Sequence, residues 1–180
     1  WILQIQWQHT NGLLRITMSN SIIRQIVESI AATLTAHAYF RTLPVIPVIV
    51  EDHRDIDQQI EKAMNSCGAF VLVNFSNSNT STPDTAGPYM DECEFVCTVA
   101  EIPSVWRQQV GTMSKPSCTE IAEAVSRILH HHTPLDKDNA ALTGGVLIFQ
   151  GMAQDAIPPM LQQIIRFNCP VGLHNTTPTR

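Results

Sequence analysis

Three consecutive histidines, His130, His131 and His132, form the most metal-like cluster in the sequence. Zinc sites built on a helix use histidines four residues apart, because these lie on one face. Consecutive residues on a helix point about 100° apart, so three neighbouring rings do not converge on one ion. Histidines near a helix C-terminus also interact favourably with the helix dipole. We therefore predict a structural role for this cluster and no metal site.

The cysteines do not form a metal or redox motif. No CxxC pair occurs among the five, and an odd number in a chain of this composition is typical of reduced thiols in a cytoplasm. Cys93 and Cys97 lie four residues apart on a predicted strand, about 13 Å from each other, which is too far to share a metal. We expect buried cysteines that behave as small hydrophobic residues.

No established catalytic motif is present. The sequence lacks GxSxG, HExxH, GxxxxGK[ST] and GxGxxG, and Gly144-Gly145 precedes a predicted strand instead of opening a phosphate-binding helix. Asp52, His53 and Asp55 suit an acid/base group, but they equally suit a solvated turn before a helix. We predict no enzyme and no cofactor. The alternative is a small cytoplasmic enzyme with an unrecognised site, which requires a pocket with at least two convergent titratable groups.

Composition restricts the class of protein further. A chain of 180 residues with 44% hydrophobic content encloses one core more readily than two. The net charge of -5 and only 11 Lys and Arg argue against nucleic-acid binding. No segment reaches the ~20 apolar residues of a membrane span. Charged residues make up 15%, which suits either a subunit interface or an ordinary neutral-polar surface.

Periodicity predicts the elements that hold these residues. Three helices are expected: one after a cap at Ser19, Asn20 or Ser21, one from about Ile56 to Cys67, and one from Ser117 to Leu129 opened by a capping box. The predicted strands are Val48 to Val50, Ala69 to Val73, Glu92 to Ala100, Gly144 to Gln150 and Leu161 to Phe167, the last of which could open as helix. The pattern predicts an α+β fold, a mostly antiparallel sheet with helices packed on one side.

Two segments stand apart from these elements. Ser76 to Pro88 has the composition of a loop and is long enough to be a contact element. Met18 resembles a natural start, so residues 1–17 are either an upstream extension of the reading frame or an arm that adds a strand to a neighbour. We expect one domain over residues 18–170, followed by a C-terminal tail, 171–180.

The order of elements from Ser21 to about Cys169 resembles the tail terminator or tail completion proteins of long-tailed bacteriophages. In that family a central strand runs into a Glu-x-Pro segment followed by Arg, and the matching residues here are Glu101, Pro103 and Arg107. The capped helix at Ser117 falls where such proteins place their last long helix. The residues before Met18 and the apolar stretch 156–160 depart from the pattern, so a neighbouring neck or head-tail joining protein is the alternative within this class.

The resemblance implies a structural virion protein of the tail or neck, assembled in the host cytoplasm. Such a protein forms a ring, of six subunits, that caps the tail tube, ends its polymerisation and joins the head connector. Its partners would be other copies of itself, the tail tube protein and the head-tail connector protein. Trp and Arg are frequent interface anchors, although a tryptophan that covers its own core is an equal alternative here. The predicted interface residues are Trp7, Asn79, Thr80, Ser81, Trp106 and Arg107.

Overall fold

The computed structural model describes residues 21–42, 45–51, 55–80, 91–106 and 115–172. Helices and strands fall in the order of a mixed α+β fold, as the sequence predicts. The elements are α1 (Ile22–Ala36), α2 (Ala38–Thr42), β1 (Val48–Val50), α3 (Ile56–Ser66), β2 (Ala69–Thr80), β3 (Asp91–Glu101), α4 (Pro103–Trp106), α5 (Cys118–Leu129), β4 (Ile148–Ile157) and β5 (Met160–Val171). None of the helices within these ranges is long and apolar enough to cross a membrane.

The strands form one five-stranded sheet in the order β1-β2-β3-β5-β4. Strand β1 pairs in parallel with β2, and the other three pairs are antiparallel. The predicted mostly antiparallel sheet is therefore confirmed. Strands β3 and β5 lie side by side over their whole length, from the pair Asp91 and Val171 to the pair Glu101 and Leu161.

The two long capped helices cover one face of the sheet. The Ser21 Oγ accepts a hydrogen bond from the Arg24 N–H at the start of α1. Ser117 and Glu120 form the predicted capping box of α5. Each helix buries one apolar stripe against alternate strand residues, as the 3.6-residue period requires. The resulting core includes Ile26, Ile30, Leu34, Ile121, Val125, Leu129, Val71, Val99 and Ile165.

Helix α3 packs on the opposite face, which corrects the prediction that all helices lie on one side. Ala63 of α3 belongs to a second, smaller cluster with Ile49, Phe70 and Ala100. Side chains alternate between the two faces of a strand, so Phe70 points away from the face that Val71 shares with α1. The run 69–73 was predicted to be covered on both faces, and four of its five residues are buried.

A row of phenylalanines crosses four strands on the face that α1 and α5 cover. Phe75 of β2 is paired with Phe95 of β3, Phe95 with Phe167 of β5, and Phe167 with Phe149 of β4. The ring centroids lie 5.8 Å apart for Phe75 and Phe95, and 6.0 Å apart for Phe149 and Phe167. Cross-strand aromatic pairs stabilise a sheet and help to fix its register. Phe95 and Phe167 are fully buried, whereas Phe149 is 37% exposed.

Several predicted boundaries were wrong. Residues 76–80 of the predicted loop continue β2, and the rest of the predicted loop, to Pro88, lies outside the described residues. The predicted strand Gly144 to Gln150 begins at Ile148 and continues to Ile157. The predicted strand Leu161 to Phe167 runs from Met160 to Val171, and its first residues are extended, not helical. Helices α2 and α4 were not predicted, and the proposed N-terminal arm and most of the C-terminal tail also lie outside the described ranges.

Candidate functional site: the outer edge of β4

Strand β4 lies at one end of the sheet and pairs on one side with β5. Across the described ranges, no strand pairs with its other side. An edge strand presents backbone N–H and C=O groups that can pair with another chain. Strand β4 is ten residues long, whereas β1 at the opposite edge has three. The long edge is therefore the stronger candidate for an interaction site.

The histidine segment closes the first part of this edge. The Leu147 N–H donates a hydrogen bond to the His132 carbonyl, and the His131 N–H donates to the Leu147 carbonyl, both at 2.8 Å. The Phe149 N–H donates to Nδ1 of His130 at 3.2 Å. These bonds join the end of α5 to the start of β4. The part of the edge that remains open runs from Gln150 towards the hairpin at Pro158-Pro159.

The side chains along β4 are unusually apolar for an exposed edge. Ile148, Phe149 and Met152 are 37%, 37% and 40% exposed. Asp155 is the one charged residue in the strand. Natural proteins protect edge strands with lysine, proline, charge or a bulge, and β4 has two of these, the single charge of Asp155 and a bulge between Phe149 and Gly151. Of the three, Met152 lies in the part of the edge that remains open, where exposed apolar surface beside backbone groups that can pair favours a protein-protein contact.

The histidines that resembled a metal cluster make separate contacts. Besides the bond from Phe149 to His130, the Nε2 of His132 lies 3.1 Å from Oγ1 of Thr33 in α1. His131 has a positive φ of 65°, and its ring centroid lies 3.9 Å from that of His130, with the two rings tilted by 43°. Burial lowers the pKa of His132. Among the described residues, no group of three or more His, Cys, Asp or Glu could hold a metal ion. The histidines instead connect α5, α1 and β4.

A groove of about 580 Å³ lies between the α1-α2 junction and α5. It contains titratable groups, which the enzyme alternative requires. The Ser117 N–H donates to the Glu120 carboxylate at 2.7 Å as part of the helix cap. Glu123 forms an ion pair with Arg127 at 3.1 Å, and burial, with Glu120 nearby, raises the pKa of Tyr39. The two carboxylates thus take part in helix capping and in a surface ion pair.

The predicted cysteine face is confirmed. Cys93 and Cys97 point into the core covered by α1 and α5, and Cys169 lies directly opposite Cys93 on β5. Burial raises the pKa of Cys93 to about 11 and that of Cys97 to about 12. A thiol in this environment remains protonated near neutral pH and is a poor nucleophile. These residues contribute packing.

The predicted interface residues occupy different environments. Trp106 is fully buried, and its Nε1–H donates to the Pro116 carbonyl at 2.8 Å. Its burial favours the alternative of a core tryptophan within the subunit. Asn79 and Thr80 lie in β2, paired with Glu92 and Asp91. The remaining three, Trp7, Ser81 and Arg107, lie outside the described residues.

The Glu-x-Pro residues of the resemblance have structural roles. Glu101 is fully buried at the end of β3, and its Oε2 accepts a hydrogen bond from the Cys118 N–H at 3.0 Å. A carboxylate at this position satisfies an unpaired amide in the first turn of α5 and interacts with the positive end of its dipole. Pro103 begins α4, a position that proline favours. Glu101 therefore connects β3 to α5, and Pro103 opens the short helix that follows β3.

The open edge was not predicted, because the predicted strand ended at Gln150. The signal was Gly151, which lies between the apolar run Val146 to Phe149 and the apolar pair Met152-Ala153. An isolated glycine within a strand pattern often marks a bulge instead of an end. Gly151 has a φ of 151°, and an added Cβ would have no neighbour within 4 Å. Backbone conformation, not crowding, therefore explains the glycine.

Comparison with known proteins gives a fold likeness. No protein-family model matches the chain, and no curated protein matches it significantly. A chain in the solved structure of the virion of a native gene transfer agent particle has a similar fold, with a TM-score of 0.55 and 14% sequence identity. The likeness covers 81% of this chain and 92% of that chain. The chain therefore shares its α+β fold with a component of that virion.

Proposed function

We propose that this chain is a structural virion protein that closes the tail tube of a long-tailed phage as a ring. The observation that carries the proposal is the fold likeness to a chain of a gene transfer agent virion, which spans 92% of that chain. The open edge of β4 supports it, because a ring subunit needs a surface that adds to its neighbour. The resemblance of the element order to tail terminators implies the position at the tube end and six subunits.

The proposed mechanism is structural. One face of the ring would match the end of the tail tube and add to it, while the other would lack the surface that the next tube ring requires. Polymerisation then stops, and the exposed face joins the head connector. Identical subunits in a ring make heterologous contacts, in which two different surfaces meet. On this proposal no residue is catalytic, and the subunit works in the virion tail or neck.

The test compares two lysine substitutions at exposed apolar positions. Met152→Lys places a charge on β4, whereas Val45→Lys places one before β1, where Val45 is 77% exposed. Neither should change the free energy of unfolding by more than about 0.5 kcal/mol. We expect Met152→Lys to give particles with tails of uncontrolled length or without heads, and Val45→Lys to give normal particles.

Complementation of a phage that lacks this gene, followed by electron microscopy, measures both outcomes. Tail length and head attachment are scored for each variant, and the wild-type protein is located in the purified particles. A wild-type chain that is absent from particles would contradict the proposal. So would abolished assembly by His131→Ala in a folded protein, because His131 is exposed and the structural proposal assigns it no contact with a partner.

A further inference from the structure

The two outer strands of the sheet run in directions that allow them to pair with each other between copies. Strand β1 lies at one end of the sheet and β4 at the other. Since β1 is parallel to β2 and the three later pairs are antiparallel, β1 runs antiparallel to β4. We infer that β1 of one copy pairs with the outer edge of β4 of the next, so that the sheet continues from subunit to subunit. This inference rests on the proposed ring and specifies its subunit contact.

The hydrogen bonds that flank β1 show which of its backbone groups point outward. The Pro47 carbonyl accepts a hydrogen bond from β2 at 2.9 Å, and the Glu51 N–H donates one to β2 at 3.1 Å. Successive residues of a strand direct their backbone groups to opposite sides. The N–H and C=O groups of Val48 and Val50 therefore point away from β2. Among the described residues, none bonds these outward groups.

The same alternation identifies the outward groups of β4. Val71 of β2 bonds β1, so the even-numbered residues of β2 before its bulge bond β3. It follows that odd-numbered residues of β3 bond β5, and even-numbered residues of β5 bond β4. Beyond its own bulge, β4 sets Ala153 and Asp155 opposite such residues. The groups of Met152 and Gln154 therefore point outward, and no described residue bonds them.

An antiparallel ladder between these two edges sets Val50 opposite Met152 and Val48 opposite Gln154. Each of these pairs would exchange both of its N–H···O=C hydrogen bonds, and this backbone pairing supplies most of the affinity. Val48 and Val50 pack against the core that α1 and α5 cover, and Met152 is paired with a residue of that core. Helix α1 packs on β1. The neighbour's β1 and α1 would therefore cover Met152, which is 40% exposed in the single subunit.

A pair of opposite charges on the other face of the sheet favours this register. The register places Glu51, which is exposed, beside Gly151 of the neighbour. Gly151 is paired with Arg166 of β5, and a Cβ added to Gly151 would meet nothing within 4 Å, so no side chain separates the two charges. Arg166 is 47% exposed and bonds Glu94 through one nitrogen, which leaves further N–H donors for Glu51. A register shifted by two residues would lose this pair.

A second copy is the occupant that fits both edges. Each chain carries a β1 edge and a β4 edge at opposite ends of one sheet, so the contact joins two different surfaces and is heterologous. Repeated around a closed rotation, it leaves no strand edge exposed. A chain cannot make the contact with itself, because its own β1 and β4 are four strand spacings, about 19 Å, apart. Val45 precedes the paired residues of β1.

The test uses two single variants of the full chain, Val50→Cys and Met152→Cys. Opposite residues of neighbouring strands have Cβ atoms about 4.5–5.5 Å apart, a distance that a short bifunctional thiol reagent spans. The variants are purified separately, mixed and treated, at high concentration and in assembled particles. Ala156→Cys in place of Met152→Cys is the matched control, because it lies about 13 Å further along β4. Four of the five native cysteines are buried, and each variant treated alone reports the background from Cys67.

The expected result is a covalent dimer in the mixture, with a link between residues 50 and 152 that peptide mass spectrometry identifies and no comparable link to residue 156. No link in either sample would overturn the inference. So would equal linkage to residue 156, or a dimer of Met152→Cys treated alone, which would mean that β4 pairs with β4.

The outcomes for the contact and for the proposed function are distinguishable. A ring in particles without the link between residues 50 and 152 would overturn the inference and leave the proposed function standing. A link at high concentration, from a chain that is absent from particles, would support the inference and contradict the proposed function.

Charge variants test the register. Glu51→Lys, introduced beside Val50→Cys, should reduce the crosslinked dimer on the order of threefold, the size of effect typical of an exposed ion pair. Glu123→Lys on α5 makes the same change of charge away from both edges and should leave the dimer unchanged. Arg166→Glu in the Met152→Cys chain should restore the yield with Glu51→Lys, which a general loss of folding would not do. Equal yields from the Glu51 and Glu123 variants, or no restoration, would contradict the register and with it the contact as stated.

Discussion

Strands β3 and β4 flank the same strand, β5, and differ in what covers them. Both pair with β5 in antiparallel register along their length. Cys93, Phe95, Cys97 and Val99 of β3 are fully buried on the face that α5 covers, whereas Phe149 and Met152 of β4 are more than a third exposed on the same face. Pairing with β5 alone therefore does not make a strand part of the core. Strand β3 is also flanked by β2 and covered by α5, whereas β4 is the outer strand of the sheet.

The side chains of β3 serve the stability of the subunit, whereas those of β4 are available for assembly. Helix α5 packs on β3 and β5, so apolar residues beneath it stabilise the subunit. Strand β4 keeps exposed apolar side chains and an outer edge that pairs with no described strand. These features are unfavourable for an isolated subunit in water and can become contacts in an assembly. Substitutions under α5 should mainly affect folding, and substitutions on β4 should mainly affect association.

The largest expected effect is on α5. Val125 is fully buried in the core, and Val125→Asp would place an unpaired carboxylate there at a cost of several kcal/mol, against a total stability of about 5–15 kcal/mol. We expect the variant not to fold. Far-UV and near-UV circular dichroism measure this outcome. A well-folded variant would mean that α5 does not cover the sheet as described.

A matched pair of phenylalanines tests whether β4 contributes less to the core than β3. Phe95→Ala removes a fully buried ring and should destabilise the protein by about 3–5 kcal/mol. Phe149→Ala removes a partly exposed ring of the same row and should cost roughly 1–2 kcal/mol. Urea denaturation measures both. Equal losses would show that β4 belongs to the core as fully as β3 and would remove the basis for treating it as a contact surface.

The cap of α5 should have a smaller effect. Ser117→Ala removes the hydrogen bond that the Ser117 Oγ accepts from the Glu120 N–H, which is typically worth about 1 kcal/mol. Thermal unfolding of Ser117→Ala beside Ser126→Ala is the measurement, since Ser126 lies within the same helix and does not cap it. If the capping variant melts no earlier than its control, the helix boundary at Ser117 is wrong.

The smallest expected effect is a pH dependence at the start of β4. Burial lowers the pKa of His132 below its ordinary value of 6.5, so the folded state favours the neutral ring. The unfolded chain binds the proton first as pH falls, and stability is therefore retained above about pH 6.5 and lost below it. His132→Gln should flatten the dependence of unfolding free energy on pH between about 7 and 5. An unchanged slope would exclude His132 as its source.

Local pattern was enough to predict much of this fold. The apolar stripes of α1 and α5, the capping box at Ser117 and the period of two in β3 each depend on residues within a few positions of one another. Such patterns can be recognised without knowledge of the tertiary structure, because a helix or a strand must bury one face wherever it lies. The α+β class followed from the order of these elements.

The surface that defines the candidate site depended on tertiary structure. The positions of Ile148, Phe149 and Met152 in the sequence do not reveal that β4 is an edge strand, because this follows from the pairing of β5 with β3. The hydrogen bond from Trp106 to the Pro116 carbonyl likewise joins residues ten positions apart in the chain, and the placement of α3 on the opposite face rests on its packing against Ile49, Phe70 and Ala100 of three different strands. The sequence determined which side chains are apolar and favour burial. Only the tertiary structure decided which of them are buried within the subunit, because strand order and helix placement join residues far apart in the chain.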